Sequence, residues 1–202
     1  FGFKMLSLQS KPMKNKMKKI LLFISVMLLV SCSQNKPKYS INGTLPSKQY
    51  DGNKVYLVPA EGSNPSNVDS TVIKDGRFVF TGDTERVSII RLKPILRMKI
   101  QELLVVTERG VVTARLDLNS IGGGTPQNNL LQTWKDLAMK SNRDFAMMQI
   151  AKNKGIKNEE LTLLERKYSA SRSALLLFTK QVIHEHKGST LSNFLSNMTG
   201  EK

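Results

Sequence analysis

The alternation of apolar and polar residues divides this chain into three parts. Residues 20–30 form one apolar run, which only Ser25 interrupts. From residue 39 to about residue 120, short stretches alternate with a period of two, which is typical of β-strands with one buried face. After residue 121, apolar residues recur every three or four positions, which is typical of amphipathic helices. The pattern therefore predicts an α+β fold, with a β-rich half followed by a helical half.

The β-rich half, residues 39–120, contains seven short stretches with the composition of strands, separated by Gly, Pro, Asn and Asp. These are residues 39–45, 54–58, 70–74, 77–81, 87–92, 103–107 and 111–118. Because no helical stretch separates them, we expect antiparallel strands in a sandwich or a barrel-like sheet.

Individual residues make this prediction more specific. Asp75-Gly76 is the strongest hairpin signal in the chain and would join the third and fourth strands. In the fourth strand Phe78 and Phe80 share one face, so we expect both in the core. In the seventh strand the corresponding apolar face consists of Val112, Ala114, Leu116 and Leu118.

The segment 121–188 is predicted to form a Gly-rich connector and a two-helix hairpin. Thr125 suits a helix N-cap and Pro126 the first helical position. The glycines before them lack the GxGxxG and GxxxxGK[ST] spacings, so we interpret them as a connector rather than as a phosphate loop. Gly155 would end the first helix, Asn158 would cap the second, and residues 189–202 would form a flexible tail. The two apolar stripes are Leu130, Trp134, Leu137, Ser141, Phe145 and Met148, and then Leu161, Leu164, Tyr168, Ser171, Leu175, Phe178 and Val182.

Residues 17–32, MKKILLFISVMLLVSC, have the pattern of a bacterial lipoprotein export signal. A basic head precedes an apolar run of eleven residues, shorter than the roughly 20 that span a bilayer. The last four residues, Leu29, Val30, Ser31 and Cys32, resemble a lipobox. This resemblance implies that the Cys32 thiol receives a diacylglyceryl group and that the chain is cut just before it. The alternative is that Cys32 is a buried or incidental thiol.

The position of this signal affects how both ends of the segment are interpreted. A signal needs its basic head near the amino end, so Met13 or Met17 is the expected start, and residues 1–31 are interpreted as an over-extended start plus the signal peptide. Residues 32–38 would be the lipidated cysteine and a short polar tether. We therefore expect the chain to be anchored in the cell envelope, facing the periplasm or the cell surface.

The predicted signal segment accounts for part of the formal charge of +15. Six of the 31 basic residues, and none of the 16 acidic ones, lie in residues 1–32, so the remainder carries +9. Those charges are spread along the chain without a basic block, which makes nucleic acid an unexpected partner. Two interpretations of the positive charge are left: contact with an anionic membrane surface beside the anchor, and a generic solvated surface. With Cys32 lipidated, the chain has no thiol for a disulfide, a zinc site or redox catalysis.

No catalytic, metal-binding or cofactor-binding constellation is predicted. His184, Glu185 and His186 lie on a predicted helix, where residues two apart point in different directions, and the HExxH spacing is absent. Asp69, Ser70 and Thr71 offer a carboxylate and hydroxyls without a neighbouring base, so we interpret them as the start of a strand.

Several motifs together resemble a known family. YSINGTL, DGNKVYLVP, DSTVIKDGRFVFTGD, ERGVVTARLD and GGGTPQNNLLQTW are similar to a bacterial domain of unknown function. That domain is found at the amino end of lipoproteins, ahead of a thioredoxin-like thiol-disulfide oxidoreductase domain of the TlpA/ResA type. The resemblance implies a structural domain with no catalytic residues of its own, and this sequence has no CxxC pair.

These observations lead to three functional hypotheses. The first is a membrane-anchored lipoprotein with a non-catalytic accessory or binding module for protein or glycan. The second is a truncated member or partner of a thioredoxin-like oxidoreductase lipoprotein. The third is a structural lipoprotein that self-associates through its helical hairpin.

Overall fold

The computed structural model describes residue 2 and residues 38–157 and 159–201. The predicted signal peptide with Leu29, Val30, Ser31 and Cys32 lies outside the described residues, as does the predicted helix cap Asn158.

In the described part of the chain, eight strands form two four-stranded sheets. One sheet has the strand order β4-β1-β7-β8 and the other β3-β2-β5-β6. The α+β class and the sandwich are confirmed, the sheets do not close into a barrel, and the eighth strand lies in the predicted connector. The strands are β1 (Tyr39–Thr44), β2 (Lys54–Pro59), β3 (Asp69–Val72), β4 (Arg77–Gly82), β5 (Val87–Leu92), β6 (Leu103–Val106), β7 (Gly110–Arg115) and β8 (Ile121–Gly123).

The two sheets share one hydrophobic core, which contains the residues predicted for it. Phe78 and Phe80 are each 3% exposed, and their rings meet edge to face at 5.8 Å. Phe78 also lies over Gly43 on β1, where a Cβ atom would collide with its ring. Val112, Ala114 and Leu116 are buried as predicted. Leu118 is 75% exposed because β7 already ends at Arg115, so its placement in the core was wrong.

The predicted hairpin at Asp75-Gly76 is only a turn. Both residues have positive φ (52° and 66°), and Lys74 and Arg77 exchange two backbone hydrogen bonds of 2.9 Å. However, β3 and β4 belong to different sheets, so the turn carries the chain across the core. The reason is that Ile73 before the turn and the phenylalanines after it all face this core. Burying them together outweighs local strand pairing.

The expectation of purely antiparallel pairing is wrong for one pair of strands. β1 lies between β4, which is antiparallel to it, and β7, which is parallel to it. A parallel pair needs a long connection between its strands, and residues 45–109 supply one by forming the second sheet on the way.

The helical half begins with the predicted hairpin, helices α1 (Pro126–Asn153) and α2 (Glu159–Glu185). The predicted stripe of α2 packs within the chain. Ser171 and Val182 are buried, and the Tyr168 ring lies 5.1 Å from the Phe145 ring of α1, tilted by 52°. Among the described residues, no helix is both long and apolar enough to cross a membrane. Two short 3-10 turns, Lys48–Tyr50 and Pro94–Leu96, lie between strands.

Residues 189–202 contain a third helix, α3 (Thr190–Thr199), so the predicted flexible tail was wrong. The Ser189 hydroxyl caps the helix by accepting a hydrogen bond from Ser192 N at 3.1 Å, and Gly200 ends it with φ of 72°. Leu191 and Leu195 are fully buried. They complete a second apolar cluster with Val87 and Val106 of the sandwich, Leu131 of α1 and Val182 of α2.

Candidate functional site

The predicted connector forms a buried polar joint between the sandwich and α1. The Glu108 carboxylate, 7% exposed, accepts hydrogen bonds from Gln127 N at 2.7 Å and Asn128 N at 3.1 Å. These are free N–H groups of the first helical turn, where a negative charge is favourable. Thr125 occupies the predicted N-cap position, but its side chain accepts from Asn128 Nδ2 at 2.8 Å and caps no backbone N–H.

Asn128 acts in this joint as a short extension of the sheet. Its Oδ1 accepts from Val106 N at 2.9 Å, and its Nδ2 donates to Val106 O at 2.7 Å. The amide thus pairs with the end of β6 as a neighbouring strand would. The segment GTPQN, residues 124–128, therefore has a structural role in the described residues.

Gln127 links the same joint to α3. Its Nε2 donates to Glu85 Oε1 at 2.9 Å, and its Oε1 accepts from Leu191 N at 2.9 Å. Thr190 Oγ1 donates to the same Glu85 oxygen at 2.7 Å. Through these bonds one side chain joins the first turns of α1 and α3 to the loop between β4 and β5.

A cleft of about 340 Å³ opens beside this joint, between α3 and the ends of β2 and β5. Arg86 donates from Nη2 to Asn67 O at 3.0 Å, while its buried Nε has no hydrogen-bond partner in the described part of the chain. The wall combines carboxylates, one guanidinium and amides, which suits hydrogen bonding to a polar ligand. It is lined by Pro59, Ala60, Glu61, Glu85, Arg86, Val87, Thr190, Asn193, Phe194 and Asn197.

A second surface, which we call the tip, lies at the opposite end of the sandwich from Tyr39. It consists of residues 93–99 and Leu118, with Ile95, Met98 and Leu118 exposed by 78%, 88% and 75%. The sequence reasoning missed it, although the run KPILRMK alternates cations with apolar residues between two predicted strands.

Residues within and beside the tip hold it in place. Ile100, 1% exposed, is part of the sandwich core, and Leu96 packs against that core. Gln101 N donates to Asp117 O at 2.8 Å, and Ser120 Oγ donates to Gln101 O at 2.6 Å. These contacts connect the loop that carries Ile95 and Met98 to the loop that carries Leu118.

Two groups of residues were weighed as candidate chemistry in the sequence: the histidines near the end of α2 and the segment that begins at Asp69. The structure does not bring them together in one site. His184, Glu185 and His186 are exposed at the end of α2, where Glu185 accepts from Gln181 Nε2 at 3.1 Å. Asp69 begins β3 and accepts from Ser70 N at 2.7 Å. Within residues 38–157 and 159–201, no group of three or more His, Cys, Asp or Glu residues could hold a metal ion.

The groups with shifted pKa values lie outside the two surfaces. Burial raises the pKa of Tyr39, against the opposing effect of the Arg86 charge. Burial also lowers the pKa of Lys135, whose ammonium donates to the Ser120 carbonyl and so holds α1 against the loop before β8. Hydrogen bonds from Lys140 and Ser171 lower the pKa of the half-buried Asp144. The shifts reflect packing and helix contacts.

Comparison with known families confirms the resemblance to a domain of unknown function. Residues 39–131 match a family model described as Domain of unknown function (DUF4369). The match runs from the first residue of β1 to Leu131 in α1, so it covers the whole sandwich and the polar joint. No curated protein and no solved structure matches the chain.

Proposed function

We propose that this protein is a membrane-anchored bacterial lipoprotein of the cell envelope, with a non-catalytic β-sandwich domain that acts as an accessory or binding module. Acylated Cys32 would be the anchor, after cleavage between Ser31 and Cys32. The observation that carries this proposal is the three-part signal of residues 17–32, followed after a short polar stretch by the first strand at Tyr39. Two or more acyl chains hold a protein at a membrane firmly, whereas one alone is marginal.

Two features of the domain support a binding role. The cleft beside the joint presents Glu61, Arg86 and the amides of Asn193 and Asn197, which are groups that recognise a peptide or a glycan by hydrogen bonds. The polar side chains of the neighbouring joint, Glu108 and Asn128, are already bonded to backbone groups. They support the scaffold, so the exposed groups of the cleft are the ones available to a partner.

Metabolic labelling of the full chain with radioactive palmitate tests the anchor. The full chain is expected to incorporate label, and the Cys32→Ser variant is expected to lose it because no thiol remains to be acylated. A Ser33→Ala variant changes the neighbouring residue, leaves the lipobox intact and should label like the full chain. Label retained by Cys32→Ser, or absent from the full chain, would overturn the proposal.

A further inference from the structure

The tip has the composition of a surface that meets a lipid membrane. Isolated apolar side chains on protein surfaces are common, but Ile95, Met98 and Leu118 lie on neighbouring loops and are all at least 75% exposed. Side chains that protrude this far would need deep matching pockets on a protein partner. A fluid bilayer needs no such pockets, because lipid rearranges around an inserted side chain.

The basic residues around the tip indicate that such a membrane would be anionic. Lys93 and Lys99 are exposed and form no ion pair with another described residue, while Arg97 and Arg91 share Glu102 at 2.9 and 3.3 Å. The loops at this end, residues 45–53, 73–76, 93–102 and 116–120, contain five basic and four acidic residues. The loops at the other end, residues 60–68, 83–86 and 107–109, contain two basic and four acidic residues. This difference in net charge between the two ends favours an orientation in which the tip faces a negatively charged surface.

We propose that the tip inserts Ile95 and Met98 into the interface of an anionic lipid membrane while Lys93 and Lys99 contact its headgroups. The inference rests on the proposed function for the presence of a membrane close to the domain. The chain from Cys32 to Tyr39 covers seven residue steps, a reach of at most about 25 Å. A six-residue strand spans about 20 Å. An anchored domain can therefore lie along the surface and bring the tip to it.

Co-sedimentation with vesicles tests the tip without the anchor. Residues 37–202 form a compact unit of their own, so a chain of these residues, which lacks Cys32, is the starting protein. It should bind phosphatidylcholine vesicles containing phosphatidylglycerol, and bind pure phosphatidylcholine vesicles far less. The Ile95→Ser, Met98→Ser double variant should weaken binding by about tenfold or more. The Lys93→Gln, Lys99→Gln double variant should also bind weakly and lose most of the salt dependence.

A matched control removes apolar side chains of similar exposure elsewhere. Met147 and Leu177, on α1 and α2, are 53% and 68% exposed, and their double serine variant should bind vesicles like the starting protein. Circular dichroism of every variant reports whether the fold is retained. Equal loss in this control, unchanged binding by the tip variants, or no binding by the starting protein would each overturn the inference.

Two further outcomes distinguish other occupants of the tip. Retention on immobilised poly-glutamate without vesicle binding would overturn the lipid inference and indicate an acidic protein. A dimer in light scattering that the Ile95→Ser, Met98→Ser variant dissociates would overturn it in favour of a second copy of this chain. Because the tested protein lacks Cys32, failure here leaves the palmitate result untouched, and failed labelling leaves vesicle binding untouched.

Discussion

At the residue scale, Asn128 links the two halves of the described chain. It is 2% exposed and forms hydrogen bonds with both backbone groups of Val106 and with the Thr125 hydroxyl. A buried backbone donor or acceptor that loses its partner destabilises a fold more than an average hydrogen bond stabilises it. The side chain is therefore expected to have a large effect on stability.

Replacing Asn128 with alanine leaves Val106 N and Val106 O without partners inside the protein. We expect the free energy of unfolding of residues 37–202 to fall by about 1–3 kcal/mol, measured by urea denaturation followed by circular dichroism. Asn193 is exposed on α3, and Asn193→Ala is the matched control, with an expected change within about 0.5 kcal/mol. Equal stability of Asn128→Ala and the control would contradict the role assigned to the joint.

The sequence allowed part of this joint to be predicted. Thr125 and Pro126 indicated where α1 begins, because N-cap and first-turn preferences depend on local backbone geometry. Apart from Thr125, the partners of Asn128 and Gln127 in the sandwich lie 19 or more residues away, at Val106, Glu108 and Glu85. Local preferences contain no information about such distant partners. For the same reason the cleft and the tip, which are assembled from separate loops, were not predicted.

At the element scale, periodicity located the strands but not their partners. All seven predicted stretches are strands, because alternation and turn residues are local signals. Pairing depends on which apolar faces share a core, so Asp75-Gly76 connects two sheets and β1 lies beside β7 in parallel. Helix α3 was missed because its apolar positions, Leu191, Phe194, Leu195 and Met198, extend over only about two turns. Its burial against α2 and β5 is what stabilises so short a helix.

Helix α3 can be tested by truncating one of its two fully buried leucines. Leu195 is fully buried in the second apolar cluster, so Leu195→Ala removes buried methyl groups and leaves a cavity. The expected loss is about 2–5 kcal/mol in the free energy of unfolding of residues 37–202. Met198, which is 50% exposed on the same helix, supplies the control Met198→Ala, expected to change stability by less than about 1 kcal/mol. If residues 189–202 were a free tail, both variants would be as stable as the starting chain.

At the scale of the whole molecule, the two apolar clusters are joined through the same strands. β5 and β6 face the sandwich core with Ile90, Leu103 and Val105, and they face the helices with Val87 and Val106. A strand buried on both faces transmits the loss of either cluster to the other. The sandwich and the helices should therefore unfold together rather than as independent units.

The coupling between the sandwich and the helices can be tested by ending the chain where the family match ends. The match ends at Leu131, inside α1, but Leu131 packs in the cluster with Val182 and Leu191, which come from α2 and α3. A chain of residues 37–131 would expose this cluster to water and leave the outer faces of β5 and β6 uncovered. Compared with residues 37–202, we expect it to melt at a lower temperature or to aggregate, as measured by scanning calorimetry and light scattering. If the shorter chain unfolds cooperatively at the same temperature, the sandwich is independent of the helices and the coupling through β5 and β6 is wrong.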